Sequence, residues 1–174
     1  TGHGVPGGII SMICHSSIKR SLRRIGLHDA GKILDETRNL IIETFDGSKD
    51  DIQDGMDIAL CILDLKTLTV NYAGANINLH YVKNEKLHIV KSNKQPVGKH
   101  IQMTPFLNHT IQLDKGDLIY LFTDGFSDQF GGEKGKKFKQ KQLSQLILSN
   151  YQLDLKTQCE RIETSFENWK GNYP

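Results

Sequence analysis

The sequence predicts an α+β domain, with helices toward both ends of the chain and antiparallel strands between them. Two observations carry that prediction. Apolar residues recur at helical spacing over about 30–45 and again over about 154–170, marking one buried face in each segment. Between those segments the apolar runs are of strand length and are joined by brief polar turns. They therefore read as consecutive hairpins rather than as crossovers through a helix.

A first helix is expected from about Gly8 to Arg24, closing before Gly26 on Lys19-Arg20-Ser21-Leu22-Arg23-Arg24, whose cations suit the negative end of a helix. A second follows Asp29, whose side chain can cap it, and buries Ala30, Ile33, Leu34, Thr37, Leu40, Ile41 and Phe45. Residues 46–51 make a polar loop. Strands are expected in pairs: Ile58 to Leu63 with Leu68 to Ala75, Ile77 to Val82 with Lys86 to Val90, and His109 to Leu113 with Asp117 to Phe122. Two helices close the chain, about Lys139 to Asn150 and Asp154 to Lys170. In the last, Leu155, Cys159, Ile162, Phe166 and Trp169 form a narrow apolar stripe. No internal repeat and no linker interrupts the chain, so residues 1–174 are read as one domain.

Composition bounds the function. A chain of 174 residues with 37% hydrophobic and 24% charged content is globular rather than disordered. A net charge of +2 creates no global field that demands nucleic acid or an anionic membrane. Cys14, Cys61 and Cys159 are scattered and odd in number, which points to reduced thiols and a cytoplasmic setting. No apolar run is long enough to cross a bilayer, and no signal peptide is present, although a parent protein attached to a membrane elsewhere is compatible with this segment.

The chain opens on Thr1-Gly2-His3-Gly4-Val5-Pro6-Gly7-Gly8. Such a run disfavours helix and central strand and suits a tight turn whose amides converge on an anion or a metal-bound ligand. A glycine loop leading into a helix N-terminus suits phosphate chemistry. The alternative is that these glycines only turn the chain. Further along, the apolar run 116–122 ends in Thr123-Asp124-Gly125, where a strand can fix a carboxylate at a metal site and the glycine can let the backbone turn away.

Together TGHGVPGG at 1–8, YAGAN at 72–76, KQPVGK at 94–99 and GDLIYLFTDGFSDQFGG at 116–132 resemble the SpoIIE-type protein phosphatases, within the metal-dependent type 2C phosphatase superfamily. The resemblance covers essentially the whole chain. It implies an antiparallel β-sandwich flanked by helices, an αββα architecture, with two Mn²⁺ or Mg²⁺ ions at one edge. It also implies an aspartate two residues before Thr1, an earlier acidic strand and a final Asp-Asp pair. The sequence contains none of these, so the domain is expected to lack N-terminal and C-terminal strands and to hold at most one ion near Asp124.

Within that resemblance Asp124 is the metal ligand, the alternative being a turn-capping aspartate beside Gly125. Asp128 is either a weaker metal contact or a solvated loop acid. His3 is a catalytic candidate, placed to hydrogen-bond metal-bound water or substrate phosphate. Gly2, Gly4 and Gly125 are loop residues of the phosphate site. Asp57 reads as structural. Lys134, Lys136 and Lys137 are either a solvated run or a patch that steers a phosphoprotein; only Phe138 interleaves the lysines, so nucleic acid is not expected. The implied function is hydrolysis of phosphoserine or phosphothreonine in a regulatory protein, as the output of an upstream sensor domain. The one C-x-x-x-x-x-R spacing, Cys14 to Arg20, falls within the expected first helix rather than in a loop, so a two-ion-activated water is the expected nucleophile. The alternative is a non-catalytic module that keeps the fold and binds a partner or a second copy of itself. A homodimer is also expected from apolar surface left on the helices at about 9–24 and 30–45.

Overall fold

The structure is a computed structural model that describes residues 4–45 and 55–173. In chain order the elements are α1 (Gly4–Ile25), α2 (Ala30–Phe45), β1 (Gly55–Met56), β2 (Ile58–Asp64), β3 (Thr69–Ala75), β4 (Leu79–Lys83), β5 (Lys86–Val90), β6 (Val97–Gly98), β7 (His109–Gln112), β8 (Leu118–Leu121), α3 (Asp124–Asp128), β9 (Phe130–Gly131), β10 (Lys136–Lys137), α4 (Lys139–Asn150) and α5 (Leu155–Lys170). The class is α+β with antiparallel sheets, as expected. The chain divides into two compact units, Thr1–Leu79 with Val90–Lys115, and His80–Ile89 with Gly116–Pro174.

In the first unit α1 and α2 pack beside the sheet β2-β3-β7 and the short pair β1-β6. The buried face of α2 contains the expected Ala30, Ile33, Leu34, Thr37, Leu40 and Ile41. Asp29 caps α2 through Oδ1, which accepts from the Lys32 N–H at 2.9 Å. Cys14, Leu34, Ile41, Ala73, Val97 and Phe106 belong to one core. Where α1 meets α2, Thr37 Oγ1 donates to Ser21 Oγ at 2.9 Å, so these buried hydroxyls satisfy one another. α1 leaves Ile9 and Met12 exposed, whereas the apolar stripe of α2 is covered.

Two of the sequence motifs turn out to build this unit. In YAGAN, the Tyr72 hydroxyl donates to the Ile77 carbonyl at 2.6 Å, and a Cβ on Gly74 would lie 2.0 Å from that hydroxyl. Asn76 takes the left-handed conformation (φ 59°) and donates from Nδ2 to Asp57 Oδ1 at 2.8 Å. In KQPVGK, the buried Gln95 donates to the Thr104 carbonyl and accepts from the Thr104 N–H, while Val97 and Gly98 pair with Met56 and Gly55. Asp57 is therefore a turn-stabilising residue.

The second unit contains the sheet β5-β4-β8, the ribbon β9-β10 and helices α3 to α5. Asn84 and Glu85, both at positive φ, form the two-residue turn between β4 and β5, the geometry that matches strand twist. Val82, Phe138, Leu143 and Ile147 form its core.

Three expectations need correction. The strands β7 and β8 do not form a hairpin; β7 pairs with β3 and β8 with β4. The Leu113 N–H is already spent on the Leu68 carbonyl at 2.9 Å, so the turn at 114–116 hands the chain from one sheet to another. The first helix starts at Gly4, not Gly8. First-turn amides have no intrahelical partner, so Pro6 costs α1 no hydrogen bond there. On α5, Leu155 and Cys159 are exposed and the buried residue is Gln158, which donates to the Leu153 carbonyl and accepts from the Tyr120 hydroxyl.

Candidate functional site

Asp124 does not stand at a strand end as expected. β8 stops at Leu121, Phe122 and Thr123 follow, and Asp124 is the first residue of α3. Aromatic packing explains the helical turn. The Phe126 ring packs on Phe122 (centroids 5.4 Å apart), Phe138 (5.3 Å) and Phe166 (4.9 Å). With the Phe122 and Phe126 rings packed together, Asp124, Gly125 and Asp128 are left exposed. Gly125 is helical, and a Cβ there would meet only Thr123 Oγ1 at an ordinary 3.6 Å. Neither space nor φ requires glycine at this position.

Asp128 lies one turn after Asp124. Its Oδ2 accepts from Lys137 Nζ at 2.8 Å, and that ammonium also lies over the Phe130 ring, 5.9 Å from its centroid. The pair is exposed and worth about 0–1 kcal/mol. Gly125, Asp128, Gln129, Phe130 and Tyr173 line one open depression of about 370 Å³. Lys134 and Lys136 are exposed nearby on the ribbon. His3 and Gly2 lie outside the described residues, and Gly4, expected in a loop, begins α1.

A hard divalent ion needs several anionic oxygens. Among the described residues no group of three or more His, Cys, Asp or Glu is gathered so as to hold a metal ion. Two dications about 4 Å apart repel by roughly 16 kcal/mol at an effective dielectric of about 20. Asp124 plus a lysine-paired Asp128 does not offset that. The described residues do not by themselves fit a two-ion centre.

The thiols offer no alternative nucleophile in the interior. Burial raises the Cys14 thiol above its ordinary range and pushes Cys61 up to about 11, so both stay protonated and inert.

Two features escaped the sequence reading. The first is the seat of the ribbon. The Gly132 N–H donates to the Trp169 carbonyl at 2.7 Å, Trp169 Nε1 donates to the Gln129 carbonyl at 3.1 Å, and a Cβ on Gly131 would lie 1.9 Å from the Trp169 carbonyl oxygen. The second is His80, a buried residue of β4 whose Nδ1 has no partner among the described residues. Its Nε2 meets the Gln140 amide, and its ring stands edge-on to Phe122. Burial lowers its pKa, so it is held neutral. The Gly-Gly pair carried a hint of the first feature; nothing local signalled the second.

A family model described as Stage II sporulation protein E (SpoIIE) matches residues 1–173. A comparison with curated proteins finds no significant match. Among solved structures, the SiaA-PP2C domain of Pseudomonas aeruginosa superposes at TM-score 0.86 with 27% identity, over 100% of this chain and 66% of that one. The PP2C phosphatase domain with a regulatory fragment of SpoIIE from Bacillus subtilis gives 0.71 with 14% identity, over 96% of this chain and 46% of that one. The Mn-presoaked phosphatase domain of the same protein gives 0.58 with 12% identity, over 91% and 66%. The chain thus spans two thirds or less of the length of these relatives. No described helix is long and apolar enough to cross a membrane. With the fold of the PP2C phosphatase domains and a family match from its first residue to Tyr173, the chain belongs to the SpoIIE family of PP2C-type phosphatases.

Proposed function

We propose that this chain is part of a metal-dependent protein serine/threonine phosphatase domain, the output module of a larger signalling protein, acting on a phosphorylated regulatory protein. The observation that carries the reading is the family match over residues 1–173 with Asp124 held outward at the head of α3. The aromatic anchor around Phe126 fixes the backbone that presents this carboxylate, so Asp124 can serve as an ion ligand without the entropy cost of ordering a loop. Mn²⁺ or Mg²⁺, when bound with carboxylates from beyond these residues, supplies the chemistry of water activation. His3, Gly2 and Gly4 remain the proposed phosphate-facing residues, and Gly125 allows close approach to Asp124.

One observation favours a second reading, that of a non-catalytic module which binds a phosphorylated partner. Asp128 is engaged by Lys137, and among the described residues no group of three or more His, Cys, Asp or Glu is gathered for a metal ion. Hydrolysis of p-nitrophenyl phosphate with millimolar Mn²⁺, by the chain and by a version extended by its flanking sequence, separates the two. The phosphatase reading predicts metal-dependent turnover in the extended protein and little or none in the chain alone. Absence of turnover from both supports the binding module.

A further inference from the structure

We propose that the β9-β10 ribbon and the start of α4 form a docking surface for an acidic segment of a partner protein. Between Asp128 and Lys141 the sequence has five lysines against two acids, and Asp128 is already neutralised by Lys137. Lys134, Lys136, Lys139 and Lys141 are all exposed and make no ion pair among the described residues. α4 has no acidic residue in its first turn, and no side chain caps it. Lys139 and Lys141 thus add positive charge at the positive end of a helix, a placement that destabilises the isolated protein and that a bound anion relieves.

A solvated lysine-rich loop would be the ordinary explanation, and the backbone argues against it. The ribbon is pinned at both ends. Gly131 and Gly132 seat on Trp169, and the Phe138 N–H donates to the Gln129 carbonyl at 3.0 Å. Gly135 approaches the Tyr173 ring so closely that a Cβ would lie 2.6 Å from the hydroxyl. A fixed scaffold holding unpaired cations at one place is what charge complementarity requires, since less ordering entropy is lost on binding.

The partner's class follows from what the patch lacks. Single-stranded nucleic acid needs exposed rings on which bases stack. Phe138, the aromatic among the lysines, is buried against Trp169, and the half-exposed Phe130 ring already has the Lys137 ammonium over one face, 5.9 Å from its centroid, so the patch offers no row of open rings. An acidic polypeptide needs only the cations. Apart from the lysine-paired Asp128, Glu133 is the single acid in the run. This assignment rests on the phosphatase reading only in making that partner the substrate; the docking itself does not depend on turnover.

The test is fluorescence anisotropy of a labelled Glu-Ser repeat peptide, with and without one phosphoserine, titrated with the chain between about 20 and 200 mM NaCl. The peptide should bind and weaken with salt. The variant Lys134→Glu, Lys136→Glu, Lys141→Glu should bind at least about tenfold more weakly, with a melting temperature equal to or above that of the wild type. Should that variant fail to fold, the corresponding triple Gln variant decides, with a severalfold loss expected. Equal affinity in the folded variant, no binding at the lowest salt, or tighter binding of single-stranded DNA than of the peptide overturns the proposal. Absence of metal-dependent hydrolysis overturns the phosphatase reading alone, because the anisotropy measurement uses no metal.

Discussion

Asp124 and Gly125 stand next to each other in α3 and are bound by different constraints. At Gly125 neither space nor φ requires glycine. Gly125→Ala is therefore expected to leave the melting temperature within about 2 °C, the scale of a surface change of under ~0.5 kcal/mol. Any loss of activity in that variant then reports on approach of substrate or metal, not on the fold. Gly131 is the opposite case. A methyl group there would collide with the Trp169 carbonyl, so Gly131→Ala should cost roughly 1–3 kcal/mol by overpacking, read as a lower midpoint in urea. His80 sets a pH dependence. Its folded pKa lies below the ordinary 6.5, so the unfolded chain binds the proton more readily. The contribution of His80 is complete above about pH 6.5 and is lost as pH falls from there toward the lowered value. His80→Phe should flatten the decline of thermal stability between about pH 7 and 5.5; an identical slope in the variant would assign the decline to other groups.

At the scale of elements, the legible parts were those with local causes. The stripe of α2, the cap Asp29, and the hairpin of β4 and β5 each follow from nearby residues. The failures had distant causes. Nothing in His109 to Phe122 says that β7 joins β3 while β8 joins β4, because the partners lie more than 30 residues away and a short turn is compatible with either outcome. The glycine motif misled in a different way. Gly4 to Gly7 read as a loop on propensity, yet α1 starts at Gly4, and the helix interior that follows outweighs a weak start. The position of Asp124 in α3 was set by Phe126 packing on Phe138 and Phe166, contacts that no local pattern announces. Of the candidate site, the sequence put Asp124 and Asp128 on one segment, and α3 contains both. The engagement of Asp128 by Lys137 across the ribbon was invisible to it.

For the molecule as a whole, the SpoIIE family match and the PP2C-type fold place the chain among the PP2C-type phosphatases, and the distribution of carboxylates determines how the proposed activity is tested. Asp124 is exposed at the head of α3 and makes no ion pair among the described residues, whereas Asp128 is held by lysine. Replacing Asp124 by Asn keeps the shape and removes the charge on which binding of a hard ion depends. The most direct test is therefore Mn²⁺-dependent hydrolysis of p-nitrophenyl phosphate by the domain extended through its flanking sequence, wild type against Asp124→Asn, with melting curves to certify the fold. The expected result is metal-dependent turnover that drops by at least about 100-fold in the variant, the scale of losing roughly 2.7 kcal/mol of transition-state stabilisation, with melting unchanged. Equal metal-dependent rates in the two proteins would contradict the account.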